Sequence, residues 1–589
     1  MPLRPSPNPT SLINSSPFSL FPPSACAVGG GCGGGVVGAR LAEAGWQVLV
    51  IEAGPAPTPE TTVPGLNVAL YFTDTNWEYH IAPQRYSNQY FIGKGGRILQ
   101  GRVMGGSAST GGLVYARGNR RDYDLWAELG NPGWDYESVL PYFKRSEDFQ
   151  GPLPPGAEAF HGRGGPLGVT RSAKSSPVTQ AFLAAGRELG FSEVDSNSGS
   201  QVGFARSFYT TKNGARTSPA EDWIRSALLT HPNLHVLTDA TVQKILFDHD
   251  KRAVGVEFVR GKERRVVRVT REVVLSAGAL ATPKLLMLSG VGPAAHLQKH
   301  GIPVLLNLPG VGQNLQDHFN VHGLSWTVPK GALGSPNMFT AALQYYFSRT
   351  GPFTEPLGDK TTAWVNVGSG DSSWPNIQCH ILSSTPAFDF GLFTARLLSI
   401  SSEKYNAYFG PILGAEGFTI ECQLSRPKSR GEVLLRSRNP DDYPIVDPNF
   451  LSHPDDVDTL VKGIKFGVSI ANTSALGGRF GAKLHKRLLP GCEHYAFGSD
   501  GYWACYVRHM GTSYIHPCGT AKMGPPEDPT SVLDENLKVR GVSGLRVVDA
   551  SAIPAIPSAN IMAAVMMIGE RAADLITEDW RGRPPRPPS

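Results

Sequence analysis

SACAVGGGCGGGVVGARLAEAGWQVLVIE, residues 24–52, decides the fold. At its centre stands Gly29-x-Gly31-x-x-Gly34. Val36 to Ala44 then has helical composition, Gly45 ends it, and Val48 to Ile51 is a short buried-strand run closed by Glu52. This is a βαβ unit in outline. Glycines at that spacing allow a tight turn, let the backbone approach a pyrophosphate and let the helix pack on the strand. The helix N-terminus then receives the phosphate charge, and an acid at the end of the second strand binds ribose hydroxyls. Glu52, eighteen residues beyond Gly34, suits an unphosphorylated ribose, hence FAD or NAD rather than NADP. A lone GxGxxG is a weak signal, and a glycine-rich linker is the competing reading. The helix, second strand and acid, all in place, favour the nucleotide. The strand that should lead into the glycines, Ser24 to Val28, follows Pro22 and Pro23 directly, so edge-like or frayed pairing is expected of it.

Working outward, 589 residues predict two sequential or interleaved domains. The chain is 41% hydrophobic and 18% charged, a globular balance that argues against global disorder. A net charge of +5, with no Lys/Arg stripe interleaved with aromatics, excludes a nucleic-acid binder. The 67 glycines and 48 prolines predict many tight turns, as in a protein that wraps a large cofactor. Seven scattered cysteines without a C-x-x-C pair argue against a disulfide scaffold or a zinc site and leave room for one or two disulfides, for instance among the C-terminal four. No metal is expected. No apolar run is long enough for a transmembrane segment. The Pro/Ser-rich stretch 1–23 lacks the h-region of a signal peptide and reads as a disordered or misassembled tail, leaving localisation open.

Further along, Val236 to Val259 and Val266 to Leu275 read as strands, Leu280 to Leu288 as a helix and Leu545 to Asp549 as a strand. Asn560 to Ile576 reads as a helix apolar on most faces, hence buried. Residues 321–510 carry many aromatics and no legible motif. The expected division is a FAD-binding domain over 24–320 that includes part of the substrate cap, a substrate domain over 321–512, a return to the first domain over 513–580, and a tail over 581–589.

Five later stretches narrow the cofactor to FAD. Gly101-Arg102-Val103-Met104-Gly105-Gly106-Ser107, followed by Tyr115-x-Arg117-Gly118-Asn119, resembles the first signature of the glucose–methanol–choline (GMC) oxidoreductases. The run from Gly278 to Gly292 resembles the second. Leu308 to His318 (LPGVGQNLQDH), His516-Pro517-x-Gly519-Thr520-x-Lys522-Met523-Gly524 and Leu545-Arg546-Val547-Val548-Asp549-Ala550-Ser551 are also similar to that family. Arthropod-like glucose dehydrogenases and choline dehydrogenases are the branch most resembled. The resemblance implies a mixed α/β and α+β fold: a Rossmann-like FAD-binding domain with a substrate domain built on an antiparallel sheet. It implies that Gly105, Gly106 and Ser107 line the flavin with Arg102 and Val103 beside them. Val242 and Ala277 would meet the adenine half, Asp549 and Ala550 the ribityl and pyrophosphate, and Asn560 and Ile561 the pyrimidine edge. Relatives of this family are secreted or mitochondrial.

Alcohol oxidation needs a base for the hydroxyl proton, a donor for the developing alkoxide and a substrate carbon facing the flavin. By its place in the family motif, His516 is the expected base, its unperturbed pKa lying near 6.5. Counting back from Gly569 sets the family's second catalytic His or Asn on Met562, which cannot donate a hydrogen bond. Asn560 would stand in only if the backbone turned it toward the substrate, and a helix N-cap is its favoured reading. Where some relatives attach FAD through a His, this chain has Thr110, so noncovalent FAD is expected; Gly111 replaces a usual Asn, at the expense of one flavin contact. The expected partners are an alcohol substrate and an electron acceptor, a quinone or oxygen, with a homodimer allowed. The readings left open are a dehydrogenase, a peroxide-forming oxidase, a flavin-binding protein that no longer turns over, and a lyase with structural flavin.

Overall fold

The computed structural model describes residues 22–153, 156–172, 176–334, 337–356 and 361–582. Most of the expected N-terminal and C-terminal tails lies outside the described residues. The glycine stretch folds as read: β1 (Ala25–Val28), α1 (Gly34–Glu43) and β2 (Val48–Ile51) form one βαβ unit. With β3 (Leu234–Leu237), β4 (Glu272–Leu275) and β5 (Leu545–Val547) they make a parallel sheet ordered β3-β2-β1-β4-β5.

The expectation of a frayed first strand is corrected. β1 lies at the middle of this sheet, with Ala25 paired to Val48 on one side and Glu272 on the other, and all four of its residues are buried. Proline lacks a donor, but both prolines stop short of the ladder. Ser24 N–H already donates to Gln47 O (2.8 Å), while the Pro23 carbonyl accepts from Thr270 N–H (3.0 Å). Four residues suffice because both edges of the strand are occupied.

The helix expected from Asn560 begins two residues later, as α2 (Met562–Asp579), and buries nearly every residue from Ala563 to Ile576. It packs on α1 where Gly569 faces Gly33 and Val36. Glu570, fully buried on α2, accepts from Arg40 of α1 (2.9 Å) and from Arg145 (2.7 Å). A buried carboxylate persists only when so paired, because leaving it without any cationic partner costs about 3–5 kcal/mol. Residues 236–259 divide into β3 and the strands Ala240–Phe247 and Ala253–Arg260, which form an antiparallel meander with Glu263–Arg268.

The stretch without a legible motif builds a mostly antiparallel sheet. It runs from Lys483–Leu484 through Ser325–Thr327, Gly417–Leu424, Ile377–Leu382 and Thr361–Val365 to Gly203–Arg206. Its three central strands, Gly417–Leu424, Ile377–Leu382 and Thr361–Val365, are buried on both faces, so they read as apolar or mixed runs without alternation. Phe319–Val321 joins this sheet and pairs with Gly511–Ser513, Phe319 opposite Ser513. Those two strands cross the expected boundaries at 320/321 and 512/513, so both chain crossings lie within the second sheet. One disulfide, Cys492–Cys505, is present among the described residues, and both cysteines belong to the C-terminal four.

Candidate active site

A cavity of about 1390 Å³ runs from the carboxyl ends of β1, β2 and β4 to the face of the antiparallel sheet. That is larger than the ~300–1,000 Å³ of an ordinary small-ligand pocket. At its nucleotide end the chain turns sharply at Gly29, where φ is +103° and a Cβ would sit 2.4 Å from Ser276 O. Gly29 and Gly31 line the cavity, whereas Gly34 packs behind them against Gly29. No side chain caps α1; Gly35 N–H is taken by Gly31 O (2.8 Å), and the turn Gly31–Gly33 ahead of the helix lines the cavity, where the helix N-terminus favours a phosphate. Glu52 accepts from Gly30 N–H and Gly54 N–H, both at 2.9 Å, and retains lone pairs for ribose hydroxyls. Burial pushes its pKa up to about 7.

Among the residues the family resemblance had assigned to FAD, Arg102, Gly106, Ser107, Val242, Ala277, Asp549, Ala550, Asn560 and Ile561 also line this cavity. Val103 and Gly105 do not: Val103 is fully buried, and Gly105 N–H donates to Gly30 O (2.8 Å) behind the wall. The close approach falls on Gly106, at φ +56°, where a Cβ would meet Gly31 Cα at 2.8 Å. The Asp549 carboxylate is occupied by protein donors, Gly278 N–H (2.8 Å), Thr282 Oγ1–H (2.6 Å) and Ser551 N–H (2.7 Å). It ties the end of β5 to the turn after β4, rather than leaving oxygens for a ribityl chain. The donor-rich turn, the carboxylate with open lone pairs and the length of the cavity fit FAD.

At the other end the paired strands and the turn before α2 bring three side chains together. Tyr514 N–H donates to His318 O (2.8 Å), continuing the pairing of Phe319–Val321 with Gly511–Ser513. His318 Nδ1 then lies 2.9 Å from His516 Nδ1. His318 Nε2 faces two carbonyls, Ser425 O (3.1 Å) and Pro557 O (3.0 Å), so it carries the proton. Burial lowers the His318 pKa to about 4, so this ring is neutral and its Nδ1 is an acceptor. The Nδ1 of His516 must therefore donate, which leaves its Nε2 lone pair facing Asn560 Nδ2 at 3.1 Å and the cavity. Burial, and then the neighbouring His318 and His380 rings, holds His516 well below the ordinary imidazole range. The base form is thus the resting form.

The backbone of His516 is fixed as well. Its N–H donates to Asp317 Oδ1 (2.8 Å), and Asp317 also accepts from Ser513 Oγ. Burial raises Asp317 to about 7. The preceding Ile515 sits at φ +66°, a left-handed conformation costly for a β-branched residue, and its N–H donates to Ser513 Oγ (2.9 Å).

The N-cap reading of Asn560 is corrected. Ile561 is the cap of α2 and makes no side-chain cap bond, while Asn560 lies in the turn before it and points at His516. The partner position counted to Met562 is therefore two residues out: Met562 opens the helix, and the amide stands at 560. The Oδ1 of Asn560 is buried without a hydrogen-bond partner. Sequence reasoning quoted His318 and Asp317 without giving them a role; the adjacent Asp-His pair closing the LPGVGQNLQDH stretch was the available signal. It missed Glu421 and His322 altogether. These line the same cavity and meet at 2.8 Å, with Asn320 Nδ2 donating to Glu421 at 2.7 Å. Burial favours a protonated Glu421, but His322, the Asn320 amide and the His380 ring together outweigh it and lower the pKa. Both sit on strands or turns of the antiparallel sheet whose sequences carry no motif.

The GMC oxidoreductase family models match residues 33–320 and 427–569. A glucose dehydrogenase [FAD, quinone] of Drosophila melanogaster is 37% identical over 560 residues, 94% of this chain and 86% of the relative. An oxygen-dependent choline dehydrogenase of Brucella anthropi is 36% identical over 560 residues, 93% and 94% of the two chains. Among solved structures, a pyridoxine 4-oxidase from Mesorbium loti superimposes with a TM-score of 0.79 at 29% identity, covering 94% of this chain and 98% of its own. The glycine turn, the histidine pair and these matches lead to one conclusion: the chain belongs to the GMC oxidoreductase family.

Proposed function

We propose that the protein oxidises the CH–OH group of a small alcohol with noncovalently held FAD and passes the electrons to a quinone or another acceptor that is not oxygen. The observation that carries this reading is the Nε2 lone pair of His516, aimed into the cavity beside the Asn560 amide. Bound FAD supplies the hydride acceptor. The protein supplies the rest. His516 Nε2 takes the hydroxyl proton, and the second N–H of Asn560 Nδ2 holds the oxygen as negative charge develops on it. His318 keeps the His516 proton on Nδ1 and goes no further as a relay, because its own Nε2–H faces only carbonyls. Gly29, Gly31, Glu52, Arg102, Gly106, Ser107, Val242, Ala277, Ala550 and Ile561 would hold the cofactor. Thr110, at the cavity wall, has no nucleophilic ring nitrogen for a covalent link.

Two features that favoured a protein without turnover are removed, since β1 is fully paired and an amide does stand beside His516. Glu421 and His322 make part of the cavity wall polar and charged, which suits a substrate with a second hydroxyl or a cationic group. The test is anaerobic bleaching of the purified flavoprotein by a panel of sugars, amino alcohols and simple alcohols. Bleaching that His516→Ala abolishes, with FAD retained, supports the reading; undiminished turnover in that variant refutes it. Peroxide formed on aeration at the rate of turnover would assign the oxidase alternative. A yellow pellet after acid precipitation would refute noncovalent attachment.

A further inference from the structure

We infer that Asp122 is a positioning residue: it anchors the turn that aims the Asn560 amide at His516. Its effect on rate rests on the alcohol oxidation proposed above; its effect on placement rests on geometry alone. Asn560 does not anchor itself. Its Nδ2 meets His516 Nε2 at 3.1 Å, and its Oδ1 is buried without a partner. The backbone leading into it therefore sets where the amide points.

That backbone, Ile553 to Asn560, lies in no strand or helix, and its Pro554 and Pro557 have no N–H to offer. Side chains hold it instead. Gln316 meets Pro554 O (3.0 Å) and Ile556 N–H (3.2 Å). Trp126 Nε1–H donates to Ala555 O (2.7 Å), and His318 Nε2–H to Pro557 O (3.0 Å). At Ser558, two residues before Asn560, Asp122 Oδ2 accepts from the backbone N–H (2.8 Å) and from Oγ–H (2.8 Å), while Gln201 Nε2 donates to the carbonyl (3.1 Å). Asp122 and Trp126 stand one turn apart on the helix Arg120–Glu128, so one helical face carries both anchors. Asp122 also accepts from Asn119 N–H (2.7 Å) at the start of that helix and from Trp374 Nε1–H (2.7 Å), in the loop before strand Ile377–Leu382. All these partners are donors, which suits the carboxylate form. One buried side chain thus joins the first signature stretch, the antiparallel sheet and the turn before α2.

The test is single-turnover anaerobic flavin reduction by alcohol in the holoprotein, with crystal structures of parent and variants. Asp122→Ala should slow reduction between about tenfold and about a hundredfold at unchanged flavin content. Asp122→Asn keeps one oxygen for Ser558 and should recover most of the rate. Asn560→Ala should slow reduction about a hundredfold, and adding Asp122→Ala to it should slow it no more than about twofold further, because the anchor then has no amide to aim. Asn119→Ala weakens the start of the same helix and spares the Ser558 contacts; it should lower the denaturation midpoint and leave the rate within about twofold of the parent. Ser558→Ala removes the hydroxyl contact alone and should slow reduction about threefold in the parent but not in Asn560→Ala, so it carries the test if Asp122→Ala yields no holoprotein. Losses from Asp122→Ala and Asn560→Ala that multiply, or an equal slowing in Asn119→Ala, overturn the inference. So does an Asn560 amide still within hydrogen-bond distance of His516 in the Asp122→Ala structure. That distance needs no turnover: a parent that no alcohol bleaches refutes the proposed reaction, and the structures decide the placement separately.

Discussion

His318→Phe removes one acceptor and nothing that reaches the substrate. In the native site His318 Nδ1 accepts from His516 Nδ1–H at 2.9 Å, and its own Nε2–H is fixed by two carbonyls. A phenyl ring leaves the His516 Nδ1–H buried without a partner, which costs about 1–3 kcal/mol. The neutral ring escapes that cost by moving its proton to Nε2, where the unpartnered Asn560 Oδ1 accepts it after an amide flip. The lone pair that takes the hydroxyl proton is then lost from most molecules. At 1.36 kcal/mol per tenfold, flavin reduction should slow between about fivefold and about a hundredfold. His318→Gln restores an acceptor and a donor on neighbouring atoms and should recover most of the rate. The assay is single-turnover anaerobic reduction of the flavin by saturating alcohol, with flavin content and denaturation midpoint measured on each variant. A His318→Phe rate within twofold of the parent, or a Gln variant no better than Phe, would refute the tautomer argument.

Three more outcomes follow from the same geometry. Burial and neighbouring rings depress His516 below 6.5, so its base form is complete at neutral pH; the reduction rate should be flat from neutral pH upward and fall only as pH drops below 6.5. An inflection above pH 7 that disappears in His516→Ala would contradict this. Glu52, raised to about 7 by burial, accepts ribose hydroxyls best when ionised; the apoprotein's FAD affinity should therefore rise with pH through about 7, by up to about tenfold per unit below it, and Glu52→Gln should flatten the dependence in a fluorescence titration. Gly29→Ala places a Cβ 2.4 Å from Ser276 O at φ +103°, and should lower stability by about 1–3 kcal/mol in denaturant melts and release flavin; an unchanged midpoint would refute the turn geometry.

What the sequence determined by itself was local. The glycine turn, α1, β2 and Glu52 lie within residues 24–52, where spacing and periodicity act on neighbours in the chain, and they fold as read. The later signatures identified the family and its cofactor class, and pointed to His516, for the same reason, each being a contiguous run. The tertiary structure decided whatever depends on pairing between distant segments. β1 read as weak because its prolines are visible in sequence, whereas its two neighbouring strands come from elsewhere in the chain. The histidine pair needs Phe319–Val321 beside Gly511–Ser513, about two hundred residues apart, and no local pattern encodes that register. Asn560 read as a cap because caps and turns favour the same residue type; only the path of the backbone before α2 turns its amide onto His516. The motif singled out His516 as the expected base, but the nitrogen holding its lone pair is set by His318 and two carbonyls from other segments, because a tautomer is fixed by the partners that surround the ring.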